Sequence, residues 1–165
     1  MTQPAAARPA CGPDRALRFD CEGESLVGIL HQPAADQAGQ ALAVVIVVGG
    51  PQVRAGSHRQ FVQVARALAG DGYPVLRYDV RGMGDSSGAL RSFEHLTPDI
   101  SAAIDQVLMQ CPQVRQVVLW GLCDGASASL LYLAERNGDA RIAGLCVLNP
   151  WLRSELSLAR TQVQH

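Results

Sequence analysis

The sequence predicts an α/β fold, a mostly parallel sheet with helices on both faces, and two observations carry that prediction. Segments of helical periodicity alternate three times with short apolar segments. A strand, a helix and a second strand give parallel pairing with the helix crossing a sheet face. Residues 41–48 (ALAVVIVV) are continuously apolar and end at Gly49-Gly50-Pro51, the pattern of a strand buried on both faces. Length and composition agree. A chain of 165 residues fits about one domain. With 48% apolar and 18% charged residues, wholesale disorder is excluded. A net charge of −1, from 14 basic and 15 acidic residues, argues against a nucleic-acid or anionic-membrane binder. The longest apolar run is far shorter than the roughly twenty residues that cross a bilayer, so no membrane insertion is expected.

Residues 1–13 are Ala/Pro-rich without an apolar core and read as a disordered tail, not a signal peptide. Residues 16–20 and 25–31, around Glu22-Gly23-Glu24, read as an antiparallel hairpin. Ser57 with Gln60 forms a capping box for the first helix. Phe61, Val64, Ala65 and Leu68 share its apolar face, and Gly70 stops it. Residues 73–80 are the next strand. Thr97 caps the second helix with Pro98 at its first position; Ile100, Ala103, Ile104, Val107 and Leu108 form its apolar face. Strands are expected at 116–120 and 142–148, with a helix over 124–136 stopped by Asn137-Gly138. Residues 151–164 read as an amphipathic helix with Leu152, Leu156, Ala159 and Val163 on one side. The organisation is then a tail (1–13), a core (14–150) and the start of a lid or cap (151–165).

Chemistry in parallel sheets sits at the carboxyl ends of strands, which selects the loops 49–57, 81–88 and 121–125. The strongest signal is Gly121-Leu122-Cys123-Asp124-Gly125, directly after a strand and directly before a helix. That context makes G-x-C-x-G a nucleophile elbow, a strained turn that admits only small residues two positions either side of the nucleophile. Cys123 would stand at a helix N-terminus, where the dipole favours a thiolate while the Asp124 carboxylate opposes one. The bland alternative is a buried cysteine in a glycine-rich turn. The amide of Asp124 is one expected oxyanion donor. His58 could touch a substrate, although a solvated helix-start histidine is the simpler reading. Gly82-x-Gly84-x-x-Ser87 lacks the third glycine of a dinucleotide loop.

Asp79-x-Arg81-Gly82-x-Gly84-x-Ser86 after a parallel strand resembles the α/β-hydrolase superfamily. In that family these residues brace the turn beside the active site, so Asp79 and Asp85 receive no catalytic role. The resemblance implies an oxyanion loop at Gly49-Gly50-Pro51-Gln52, with Val48 where the family often has a histidine. Gly50 is then the second expected oxyanion donor, since Pro51 has no N–H. Gln52 behind it could touch a substrate, and a plain glycine turn is the alternative. Three segments, 49–61 (GGPQVRAGSHRQF), 73–86 (YPVLRYDVRGMGDS) and 120–128 (WGLCDGASA), together resemble exosortase A system-associated hydrolase 1, from about residue 16 onward. Leu148-Asn149-Pro150-Trp151-Leu152-Arg153 also resembles that group. The resemblance implies an α/β-hydrolase fold and names no natural substrate.

In such a hydrolase the order is nucleophile, acid, histidine. After Cys123 the sequence holds His165 as its last histidine, without a strand before it; His31, His58 and His95 precede the nucleophile, and Glu155 reads as a surface carboxylate. The C-terminal strands and the acid–histidine pair of the fold are therefore expected to be missing from these residues. The expected function is hydrolysis, or transfer, of an ester, thioester or related acyl bond through Cys123, on a small-molecule acyl substrate. The alternative is a non-catalytic half-domain, a binding module or an inactive fragment; a redox role for Cys123 is weaker. No cofactor or metal is expected. Five cysteines (Cys11, Cys21, Cys111, Cys123, Cys146) without metal spacing read as reduced cytoplasmic thiols, the four besides Cys123 as core or tail residues. A raw sheet edge at 142–148 would invite self-association.

Overall fold

The computed structural model describes residues 12–36 and 40–151. Most of the tail, Cys11, Glu155, His165 and all but the first residue of the expected lid helix lie outside the described residues. Gly12, placed at the end of the tail, donates its N–H to the Gln32 carbonyl at 2.9 Å.

Among the described residues six strands form one sheet: β1 (Arg15–Cys21), β2 (Glu24–His31), β3 (Leu42–Val47), β4 (Val75–Asp79), β5 (Gln116–Leu122) and β6 (Ile142–Leu148). Their order is β1-β2-β4-β3-β5-β6. β1 pairs antiparallel with β2 and β2 with β4, whereas β4, β3, β5 and β6 run parallel. Glu22 (φ 54) and Gly23 (φ 82) supply the two positive-φ positions that a tight hairpin needs.

Three α-helices of the described residues cover the sheet: α1 (Gln60–Gly70), α2 (Thr97–Gln110) and α3 (Asp124–Glu135). The continuous apolar run of β3 has a simple cause. Ala43, Val45 and Val47 point to a large core shared with Ile100, Ile104 and Val107 of α2 and Tyr132 of α3. Val44, Ile46 and Val48 point to a smaller core under Phe61 and Ala65 of α1. Trp120 of β5 closes that side, edge-on to Phe61 at 5.6 Å.

Two helix starts differ from the sequence expectation. Ser57 makes no capping bond, because α1 begins at Gln60 after a separate 3₁₀ turn, Ser57–Arg59. His58 and Arg59 take φ 49 and 60 and break the register; backbone bonds such as Phe61 N–H to the Ala55 carbonyl secure the entry instead. Thr97 lies inside α2 and its hydroxyl donates to Glu135 on α3; the Leu96 carbonyl accepts from Ile100 N–H. Cys146 also departs from expectation. It is exposed, whereas Cys21 and Cys111 are buried, because β6 is the terminal strand and pairs with β5 alone.

Candidate active site

β5 ends at Leu122 and α3 begins at Asp124, so Cys123 makes the whole turn. It does so at φ 50, ψ −115, a backbone region that costs about 1–3 kcal/mol for a side-chain-bearing residue. The sharp turn survives because glycines let three backbones touch. A Cβ on Gly125 would sit 2.1 Å from the Val47 carbonyl oxygen, and one on Gly121 would sit 2.5 Å from the Gly125 carbonyl group. A Cβ on Gly49 would meet Gly125 N at 2.5 Å. Real Cβ atoms do not approach that closely, so all three positions require glycine in this geometry.

Cys123 N–H donates to the Leu148 carbonyl at 2.9 Å, and its own carbonyl accepts from Ser127 N–H at 3.0 Å, opening α3. The thiol is half-buried. Asn149 Nδ2 lies 3.6 Å from Sγ. The segment after β6 folds back over the elbow. Trp151 Nε1–H donates to Asp124 Oδ1 at 2.6 Å, and Trp151 N–H donates to Ser127 Oγ at 2.9 Å. Ser127 and Ser129 are both buried, and Ser129 Oγ donates back to the Gly125 carbonyl; neither hydroxyl faces an open site.

Gly50 (φ 61) and Asp124 line one cavity of about 400 Å³. Its walls include Met83, Leu90, Phe93 and Trp151, and the last two rings stand 5.3 Å apart. A Cβ on Gly50 would lie 2.8 Å from Asp124 Oδ2, so this loop and the first turn of α3 are in contact. Cys123, Gln52 and His58 are not among the lining residues. His58 is exposed at the entry to α1, in keeping with a solvated side chain.

Arg54, which no local pattern singles out beyond its place in a resembling segment, ties two of the loops together. Its backbone N–H donates to Asp79 Oδ1 at 2.6 Å, and its guanidinium pairs with Asp79 and Asp85. Asp79 is fully buried and also accepts from Asp85 N–H at 3.1 Å. It is a brace between the loop after β3 and the loop after β4. Gly84 (φ 54) fits against it, since a Cβ there would lie 2.1 Å from Asp79 Oδ2. Arg81 is held by the buried Asp99 through its backbone N–H at 2.9 Å, Nε at 3.0 Å and Nη2 at 2.8 Å, and it reaches Glu22 across the hairpin. No helix opens at Gly82-x-Gly84, which excludes the dinucleotide-loop geometry. Among the described residues no group of three or more His, Cys, Asp or Glu side chains is placed to hold a metal ion, and no helix is long and apolar enough to cross a membrane.

Strand order, the bend at Cys123 and the braced loops define an α/β-hydrolase fold. Solved structures agree. The chain superposes on DcsB in complex with its substrate analogue at a TM-score of 0.73 and 19% identity, covering 92% of this chain and 50% of that one. It superposes on XC6422 from Xanthomonas campestris, a serine hydrolase without a lid, at 0.66 and 24%, covering 86% and 65%. Est1E from Butyrivibrio proteoclasticus, with ferulic acid bound, gives 0.69 and 25%, covering 82% and 53%. The chain thus spans about half to two-thirds of these proteins. No curated protein matches. The family model described as serine aminopeptidase, S33, matches residues 39–164, and the chain belongs to that family of hydrolases.

Proposed function

We propose that Cys123 is the nucleophile of an esterase- or thioesterase-like reaction. The observation that carries the reading is the turn itself: a half-buried sulfur presented at φ 50, ψ −115 between a parallel strand and a helix N-terminus, with glycines enforcing the bend. The thiolate would attack the acyl carbonyl, forming an S–C bond while the carbonyl oxygen takes the electron pair. The amides of Asp124 and Gly50 are the proposed donors to that oxyanion. Collapse breaks the bond to the leaving group, which leaves as an alkoxide or thiolate and is protonated by water. A second water then hydrolyses the acyl-cysteine to a carboxylic acid and the free thiol. The apolar walls of the adjoining cavity suit a hydrocarbon or aromatic acyl group. The elbow carries cysteine, whereas XC6422 is a serine hydrolase. The finer resemblance to exosortase A system-associated hydrolase 1 supports the hydrolase reading and leaves the substrate open.

A second reading, a half-domain that binds without turnover, is favoured by one observation. Among the described residues no histidine hydrogen-bonds Sγ. Incubation with p-nitrophenyl butyrate separates the two. A burst of nitrophenol with a butyryl group on the Cys123 peptide, both lost in Cys123→Ala, is the outcome expected here. An unmodified Cys123 peptide, or a burst that persists in Cys123→Ala, overturns the nucleophile assignment.

A further inference from the structure

We infer that Asn149 is a positioning residue for Cys123, its side-chain amide donating to the sulfur and holding the thiolate at the mouth of the elbow. The inference rests on the reading of Cys123 as nucleophile.

β6 is tied to the elbow at its last residue, where the Leu148 carbonyl accepts from Cys123 N–H at 2.9 Å. The chain then turns sharply, with Asn149 at φ 50. Asparagine is one of the few residues with a side chain that adopts this region readily, and the following Pro150 disfavours a right-handed helical alternative. Beyond it, Trp151 is fixed to both Ser127 and Asp124 of α3. Residues 149–151 therefore form a strap anchored at both ends, and the strap sets Asn149 Nδ2 3.6 Å from Sγ. That is within reach of an N–H···S bond. An amide nitrogen can only donate, and a donor favours the charged form of its acceptor.

The test is the pH profile of iodoacetamide alkylation at each cysteine of the full chain, read by peptide mass spectrometry. Three proteins are compared: wild type, Asn149→Gly and Asn149→Asp. Glycine accepts φ 50 without strain, and aspartate is isosteric and tolerates it, so each variant preserves the strap; thermal melting checks this. Cys146 is the exposed reference, and Cys21 is a slow one, its thiol pushed up to about 11 by burial and by Asp99. Loss of the donor should lower the Cys123 rate at neutral pH about threefold in Asn149→Gly, and its reversal to an anion should lower it about tenfold in Asn149→Asp. The half-maximal pH of Cys123 should rise in both, with Cys146 unmoved. A Cys123 profile that coincides in all three proteins overturns the inference. The two failures are separable. A profile that shifts without acylation of Cys123 by the ester sinks the nucleophile reading, whereas acylation with an unshifted profile sinks the role of Asn149.

Discussion

The loops after β4 and β5 leave strands that flank β3 on either side, yet they are held by opposite means. The β4 loop is fixed by charge: Asp79 and Asp99 are fully buried and each is paired with an arginine. The β5 loop is fixed by bare backbone, with Gly49, Gly121 and Gly125 in contact around one strained residue. Buried ion pairs tolerate no loss of a partner, and the positive-φ positions beside them fall on glycines, Gly82 and Gly84, which adopt them without strain. The glycine-packed turn stores strain at a single position and directs that position's side chain outward.

The largest effect that tests this contrast falls on the charged loop. Asp99→Ala removes three acceptor contacts from Arg81 and leaves a guanidinium, whose side chain is 4% exposed, with Glu22 as its remaining carboxylate. The expected loss is about 3–5 kcal/mol in urea unfolding. A loss under about 1 kcal/mol, in the range of a surface pair, would mean that Glu22 alone carries Arg81 and that burial of Asp99 is incidental.

An effect of opposite sign is expected at the elbow. Cys123→Gly frees φ 50, ψ −115 of its penalty at the cost of a half-buried sulfur. A net gain of about 1 kcal/mol is expected, read as a higher unfolding midpoint in urea. Destabilisation would show that contacts of the sulfur outweigh the strain and that the turn is less taut than its dihedrals imply.

How much of this was legible in the sequence follows from the range of the forces involved. The bend at Cys123 was readable because its determinants are steric and local: glycines two residues away on each side, a strand before and a helix after. The sheet was readable because β3 alternates between two cores and so must be apolar throughout. The helix starts were not. Ser57 and Thr97 are good local caps, but Thr97 was claimed by Glu135, 38 residues away, and Ser57 was cut off by left-handed His58 and Arg59. Arg54 and Asn149 were invisible as support for the site for the same reason. Their partners, Asp79 and Cys123, lie 25 and 26 residues distant, and neither pairing leaves a periodic trace.

The smallest effect sharpens where the charged brace ends. Arg54 bridges two carboxylates, but Asp79 is fully buried while the Asp85 side chain is 67% exposed. A pair held in water gains little, because solvent screens the attraction and ordering two side chains costs entropy. The backbone N–H of Asp85 still donates to Asp79 when the side chain changes, so the loop keeps its shape. Asp85→Asn should therefore shift stability by no more than about 0.5 kcal/mol, and raising the salt concentration should leave wild type and variant closer still. A loss comparable to that of Asp99→Ala would place Asp85 inside the brace, and the contrast between a charge-fixed and a backbone-fixed loop would then extend to the solvent-facing rim of the site.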